Sequence, residues 1–565
     1  MIFPDLPYQR PDIDAIKSRF ESALAQFEHA PSAEAQLEAM TTIHAIRFEF
    51  DTLSTLASIR HSLDTKDPFY DGEQAFFDEQ GPHFQALNQA YYRALVASPY
   101  RAALSQETGE LLFQMAEQTL KTFKPEIIPL LQQENSLATR YDKLVAAAEI
   151  PFQGETYNLS EMGPFRQSPD RAIRQAATRA MFAFFAEHEA TLDGLFDELV
   201  KTRVAIADAL GYPSFIELGY DRMGRLDYDA ADVANYREQV RAVIVPLVSE
   251  LVERQGRRIG VSDMKFYDLA LDFLDGNPTP RGKEAELVQA AQAMYDAMSP
   301  ETGAFFTMMR ERELMDLTAR KGKSGGGYCT ALPDYKVPFI FANFNGTAAD
   351  VDVLTHEAGH AFQVYMSMHH AVPEYHWPTM EACEIHSMSM EFFAWPWMDK
   401  FFAEDTEKYK FSHLQGALKF LPYGVLVDHF QHDVYADPSL SPKARRARWR
   451  ELEQLYMPYK RYEAEDTFLE AGGFWFVQSH IFHAPFYYID YTLAQVIAFQ
   501  YWVWMQEDPQ AAWDSYLTLC KAGGSRAFTG LLELASLDNP FKDGRLKRIV
   551  PAVSRYLDQV DDQKF

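Results

Sequence analysis

Residues 337–344 read Val337-Pro338-Phe339-Ile340-Phe341-Ala342-Asn343-Phe344, and after Asn345-Gly346 the chain runs on to His356-Glu357-Ala358-Gly359-His360. The first stretch is short, aromatic and apolar, which reads as a β-strand ending in a turn. Past it, Val351, Leu354, Ala358, Ala361, Phe362 and Tyr365 recur at helical spacing, and Asp350 and Asp352 suit a helix N-terminus. Positions four apart share a helix face, so His356 and His360 can reach one metal ion. Glu357 projects from the edge of that face, placed to act on a water there rather than as a third ligand. Two imidazoles with a neighbouring carboxylate are the arrangement of a zinc hydrolase centre. A sheet-edge strand beside such a helix, here 337–344, would offer its backbone to an extended peptide. The plainer reading is a buried amphipathic helix with two incidental histidines.

A hydrolytic zinc site needs a third protein ligand and one open position. Downstream, Thr379-Met380-Glu381-Ala382-Cys383-Glu384-Ile385-His386-Ser387-Met388-Ser389-Met390-Glu391 is strongly helical and rich in candidates. Spacing does not choose between Glu381, Glu384 and His386. Cys383 is chemically able, although thiolates are more typical of closed structural sites. A purely solvated acidic face fits poorly with Met380, Met388, Met390, Phe392 and Phe393, which mark a buried helix.

His-Glu-x-x-His followed about 24 residues later by Glu-x-x-Ser-x-x-x-Glu (Glu384, Ser387, Glu391) resembles the thimet-oligopeptidase-like family of zinc peptidases. Within it, the chain is most similar to the oligoendopeptidase F and Pz-peptidase branch. The resemblance implies Glu384 as third ligand to one Zn²⁺ per chain. It makes Glu381 and Glu391 candidates to hold the ligand rings in one tautomer. Gly325-Gly326-Gly327-Tyr328-Cys329 and the stretch 338–346 resemble the family's substrate strand, which makes Gly326, Gly327, Phe341, Ala342 and Asn343 candidate substrate-binding residues. The likeness is firm across about 320–500 and vaguer in the N-terminal third.

Amide hydrolysis builds negative charge on the carbonyl oxygen, and a side-chain donor commonly shares that load. The run His480-Ile481-Phe482-His483-Ala484-Pro485-Phe486-Tyr487-Tyr488-Ile489-Asp490-Tyr491 supplies five histidine or tyrosine donors. Relatives carry a similar segment, and the reading favours Tyr488 and Tyr491, with His483 or His480 behind them. Tyr487 reads as a core ring.

At 565 residues the chain exceeds one compact core. The reading is a mainly α, large multi-helix two-lobed fold with a deep internal channel and a small β-sheet next to the zinc-binding helix. Residues 1–205 form an N-terminal helical lobe walling the channel, and 206–565 the catalytic lobe. Helices are expected over 12–30, 33–65, 168–210, 229–256, 283–320, 407–437 and 487–505, with a hairpin at 150–159. A net charge of −28 argues against nucleic acid. No stretch approaches the roughly 20 apolar residues of a membrane span. Three scattered cysteines and an N-terminus without a signal-peptide pattern point to the cytoplasm.

The expected activity is zinc-dependent endopeptidase cleavage of short oligopeptides, with Glu357 as general base. The Pz-peptidase likeness suggests collagen-derived, Gly- and Pro-rich peptides. A zinc carboxypeptidase or dipeptidyl-carboxypeptidase is the alternative, followed by a non-catalytic helical peptide-binding protein. Oligomeric state is not legible.

Overall fold

Apolar residues three and four apart become helices from Ile13–Glu28 onward, and a computed structural model describes all of residues 1–565. The first long helix is α1 (Ala33–Leu63), capped by Ser32 Oγ. Strands β1 (Ile150–Phe152) and β2 (Glu155–Tyr157) form the expected hairpin. The stretch expected as one helix over 168–210 is two, Arg171–Glu187 and Glu189–Leu210, meeting at His188.

The stretch 283–320 also departs from expectation. A first helix, Glu284–Met298, ends before Ser299-Pro300, where Pro begins a second helix capped by Ser299 Oγ. That second helix stops at Glu311, and Met315–Thr318 is strand β3. Strands β4 (Tyr328–Leu332) and β5 (Val337–Phe344) complete a sheet of order β3-β5-β4. β3 runs parallel to β5, and β4 antiparallel, with Tyr328 opposite Phe341. The central position of β5 explains its nearly continuous apolar run, because both faces are covered.

Four more helices build the site: α2 (Ala349–Ser367), α3 (Met380–Phe393), α4 (Thr406–Ala436) and α5 (Tyr488–Glu507). The Asn345-Gly346 turn is tied to α2 by the Asp350 carboxylate, which accepts both backbone N–H groups at 2.9 and 2.8 Å. α3 packs against both α2 and α5. Gly359 lets α2 approach α3 closely, since a Cβ there would lie 2.6 Å from His386 O and Ser387 Cα.

Apolar side chains gather in two cores. The smaller holds Phe20, Phe27, Ile43, Phe50 and Tyr91 from the N-terminal helices, joined by Val372 and Tyr375 from the loop between α2 and α3. The larger takes the sheet, the site helices and the apolar faces of Arg171–Glu187 and Glu189–Leu210. A division near 205 would assign those two helices to the smaller lobe; we propose a boundary near 123 instead.

A buried ion pair, Arg47 Nη1 to Glu374 Oε1 at 2.7 Å, fastens α1 to the α2–α3 loop. Tyr92 OH donates to the same oxygen at 2.6 Å, and Leu112 N–H donates to Tyr375 OH at 3.0 Å. Burial alone would raise the Glu374 pKa, but Arg47, His44 and the Tyr92 hydrogen bond together outweigh it and hold the carboxyl at about 2.

Candidate active site

His356 and His360 lie one turn apart on α2, and α3 brings Glu384 against both. Glu384 Oε2 is 3.1 Å from His356 Nε2 and 3.3 Å from His360 Nε2. These three are the one grouping of His, Cys, Asp or Glu side chains close enough to hold an ion, their ligand atoms lying within 4.8 Å of one another. His386, on the same helix, points elsewhere: its Nδ1 faces Ala382 O at 2.7 Å.

Glu391 sits two turns beyond Glu384 and faces His356 Nδ1 at 2.7 Å with one oxygen. Its other oxygen faces His413 Nε2, on α4, at 2.8 Å. The indole N–H of Trp395 donates to His413 Nδ1 at 3.3 Å, and an indole has no acceptor. His413 Nδ1 is therefore the acceptor, and its Nε2–H donates to Glu391. With Glu391 an acceptor twice over, His356 carries its proton on Nδ1 and presents the Nε2 lone pair toward Glu384 and His360. Neither His413 nor Trp395 was singled out in the sequence. His360 Nδ1, by contrast, is buried without a partner. Glu381 does not support either ring: it is fully buried, accepts from Thr379 Oγ1 at 2.8 Å, and lies beside Arg225. Burial pushes its carboxyl up to about 7, with Arg225 opposing.

Glu357 is 6% exposed, and its Oε2 has no hydrogen-bond partner. Burial raises its pKa, against the pull of His356 and His360. An orphaned carboxylate oxygen beside three converging ligand atoms fits a divalent cation and a water between them.

These groups wall a cavity of about 420 Å³ together with Gly327, Tyr328, Cys329 and Thr330 at the start of β4. The strand beside the site with an unpaired edge is thus β4. Phe341 and Ala342 lie in the central strand with no exposed surface, so their backbone is not free for a peptide. The Asn343 amide instead ties down the glycine loop, donating to Ser324 O and Gly326 O at 2.8 Å each. Gly327 reaches the cavity wall; Gly326 does not.

The segment after residue 478 divides differently from its expected roles. His480 and Tyr491 line the cavity, joined by Tyr487. Tyr487 is no core ring, since its hydroxyl donates to Glu384 Oε1. Tyr488 instead packs against Phe420 and Tyr423. His483 turns away to pair with Asp142 at 2.8 Å. The cause is Phe486, a non-glycine residue at φ +68°, whose ring is buried against Phe215, Tyr220 and His432. Its carbonyl accepts from Arg225 Nη2 at 2.6 Å, and the same nitrogen pairs with fully buried Asp490 at 2.8 Å. These ties set the rotation of the first turn of α5 and turn Tyr487 and Tyr491 toward the cavity.

A relay orders the donors. Tyr423 OH donates to Gln478 Oε1 at 2.8 Å, and Gln478 Nε2 donates to His480 Nδ1 at 2.8 Å. His480 Nε2–H then donates to Tyr491 OH at 3.1 Å, leaving the tyrosine proton free to point into the cavity. Burial holds the His480 pKa at about 4, so the ring is neutral.

Two further cavities adjoin this one. One of about 540 Å³ shares His480 and Tyr491 with it, and another of about 560 Å³ shares Trp377 and Met380.

The sequence profile of Peptidase family M3 matches residues 165–551, and that of the Peptidase M3 N-terminal domain residues 3–123. The chain belongs to peptidase family M3. This M3 peptidase falls in the oligoendopeptidase F and Pz-peptidase branch. It superposes on the structure of Pz peptidase A with an inhibitor at a TM-score of 0.98, with 53% identity over 99% of this chain and 100% of that one. Oligopeptidase PepF of Bacillus subtilis (strain 168) is 21% identical over 95% of this chain and 82% of its own length. The oligoendopeptidase-F of Enterococcus faecium shares the fold, with a TM-score of 0.65 at 16% identity over 98% of each chain. M3 membership makes the chain an oligopeptide-cleaving peptidase and implies a bound metal. No helix is long and apolar enough to cross a membrane.

Proposed function

We propose that this M3 peptidase is a zinc-dependent endopeptidase of short oligopeptides, acting in the cytoplasm, with collagen-derived Gly- and Pro-rich peptides among its substrates. The observation that carries the reading is the convergence of His356, His360 and Glu384 beside the orphaned carboxylate of Glu357. His356 Nε2, His360 Nε2 and Glu384 Oε2 would hold the ion, whose chemistry there is Lewis-acid polarisation of the substrate carbonyl and acidification of water.

Glu357 Oε2, pre-positioned and poorly solvated, takes the proton of the attacking water and passes it to the departing amine nitrogen. Tyr491, its hydroxyl oxygen already occupied by His480, donates its free proton to the developing oxyanion. Tyr487 holds Glu384 in place through the bond to Oε1. The free edge of β4 supports backbone pairing with an extended peptide, which suits loose side-chain preference. Cavities adjoining the metal pocket on two sides leave room for chain on either side of the cleaved bond, which favours internal cleavage over release of a terminal residue.

The test is an end-blocked fluorogenic peptide with Glu357→Gln. We expect wild-type metal content and melting temperature with turnover reduced about 10²–10⁴-fold. Turnover near wild type would place the base elsewhere, and failure of the wild type to cut the blocked peptide would favour the exopeptidase alternative.

A further inference from the structure

The third cavity, of about 560 Å³, lies where helix Glu110–Lys121, the end of helix Phe215–Arg222 with the turn after it, the segment 377–380 that leads into α3, and the loop 524–527 meet. It opens toward the metal pocket past Trp377 and Met380, which line both. Two guanidinium groups wall it, Arg222 and Arg526, against one carboxylate, Asp221. Asp221 is already engaged: it accepts from Tyr212 OH at 2.5 Å and from Gln118 Nε2 at 3.2 Å. Arg222 shares Glu134 with Arg203, two cations on one carboxylate, and Arg222 Nη2 is buried without a partner. Arg526 makes no ion pair and no hydrogen bond. In a chain with 81 acidic against 53 basic residues, acids are plentiful, yet Arg203, Arg222 and Arg526 here face only Glu134 and Asp221, which leaves the wall one positive charge in excess. The cavity on the other side of the metal pocket has the opposite character, with Asp272, Asp352 and Glu391 in its lining.

Resting on the endopeptidase reading above, we propose that this cavity is a specificity site for a substrate carboxylate, held by Arg526 with Arg222 behind it. The carboxylate belongs either to an Asp or Glu side chain a few residues from the cleaved bond or to the peptide's C-terminus. Arginine suits both, because its planar donors match a carboxylate two at a time.

The experiment compares end-blocked peptides of one neutral parent in which Gln is replaced by Glu at each position in turn. A second arm compares the free C-terminal acid with the amide. At one position, or at the terminus, the charged form should gain about fivefold in kcat/KM, expressed in KM, with the gain falling at high salt. Arg526→Gln should bring that charged-to-neutral ratio close to one, and Arg526→Glu should invert it in favour of Lys at the same position. Arg526 is exposed, so both variants should keep the wild-type melting temperature. Which arm responds identifies the source of the carboxylate. A ratio near one for wild type in both arms, or a ratio unchanged in both variants, overturns the proposal. Failure of wild type on the neutral parent would instead count against the endopeptidase reading itself.

Discussion

The two imidazoles that face the candidate metal position are supported in opposite ways. His356 stands at the end of a chain of donors running from Trp395 through His413 to Glu391, each link fixing the proton of the next. His360 has no such chain; its Nδ1 is buried and unpartnered, and packing between α2 and α3 holds its ring. Glu384 joins the two, since one of its oxygens lies within 3.1 and 3.3 Å of both. The difference teaches that one rigid arm and one shared carboxylate can align a three-ligand site. The second imidazole then needs only to be confined.

Five substitutions at four residues test that asymmetry, read as metal affinity by chelator competition rather than as activity. Glu384→Ala should have the largest effect, losing stoichiometric metal and exceeding the ~100-fold that a supporting residue costs. Retained metal would mean that the imidazoles do not depend on it. Glu391→Ala should weaken binding about 10–100-fold by freeing the His356 ring; an unchanged affinity would make the two arms equivalent. His413→Ala should cost about tenfold or less. His413→Gln, which keeps an N–H for Glu391, should recover part of that loss, a rescue that a merely space-filling role would not produce. Trp395→Phe should do least, about threefold, the scale of one net hydrogen bond of ~0.5–1 kcal/mol. A loss as large as that of Glu391→Ala would point to disturbed packing instead, which a lowered melting temperature would reveal.

What could be read along the chain was whatever local spacing decides. The pair His356 and His360 follows from four-residue spacing, and most helices follow from apolar periodicity, because each depends on near neighbours. The sheet was harder. Met315-Asp316-Leu317-Thr318 reads as the tail of a helix, yet it pairs with β5 and converts the expected edge strand into the central one. The unbroken apolar run of 337–342 carried that signal, since a strand with one exposed face would alternate. The tyrosines were set by contacts more distant still. Phase counting along 487–491 assumes a regular helix start, whereas Phe486 at φ +68° is held there by a pocket of rings and by Arg225, 261 residues away. Glu381 failed for a related reason, because its place one turn before Glu384 says nothing of the arginine waiting on its side of α3. The trio Trp395, His413 and Glu391 needs α4 folded over α3 before it exists at all.

The loop between α2 and α3 belongs to both parts of the molecule, contributing Val372 and Tyr375 to the small core and Glu374 to a buried partnership with Arg47. Severing the first 120 or so residues would therefore do more than remove a wall. It would take away the partners that bury Glu374, bare the apolar Val372 and Tyr375 to water, and slacken the tether between the helix bearing His356 and His360 and the helix bearing Glu384. The candidate site residues sit in one part of the chain, but their alignment is on loan from the other, and neither part alone would inherit the arrangement.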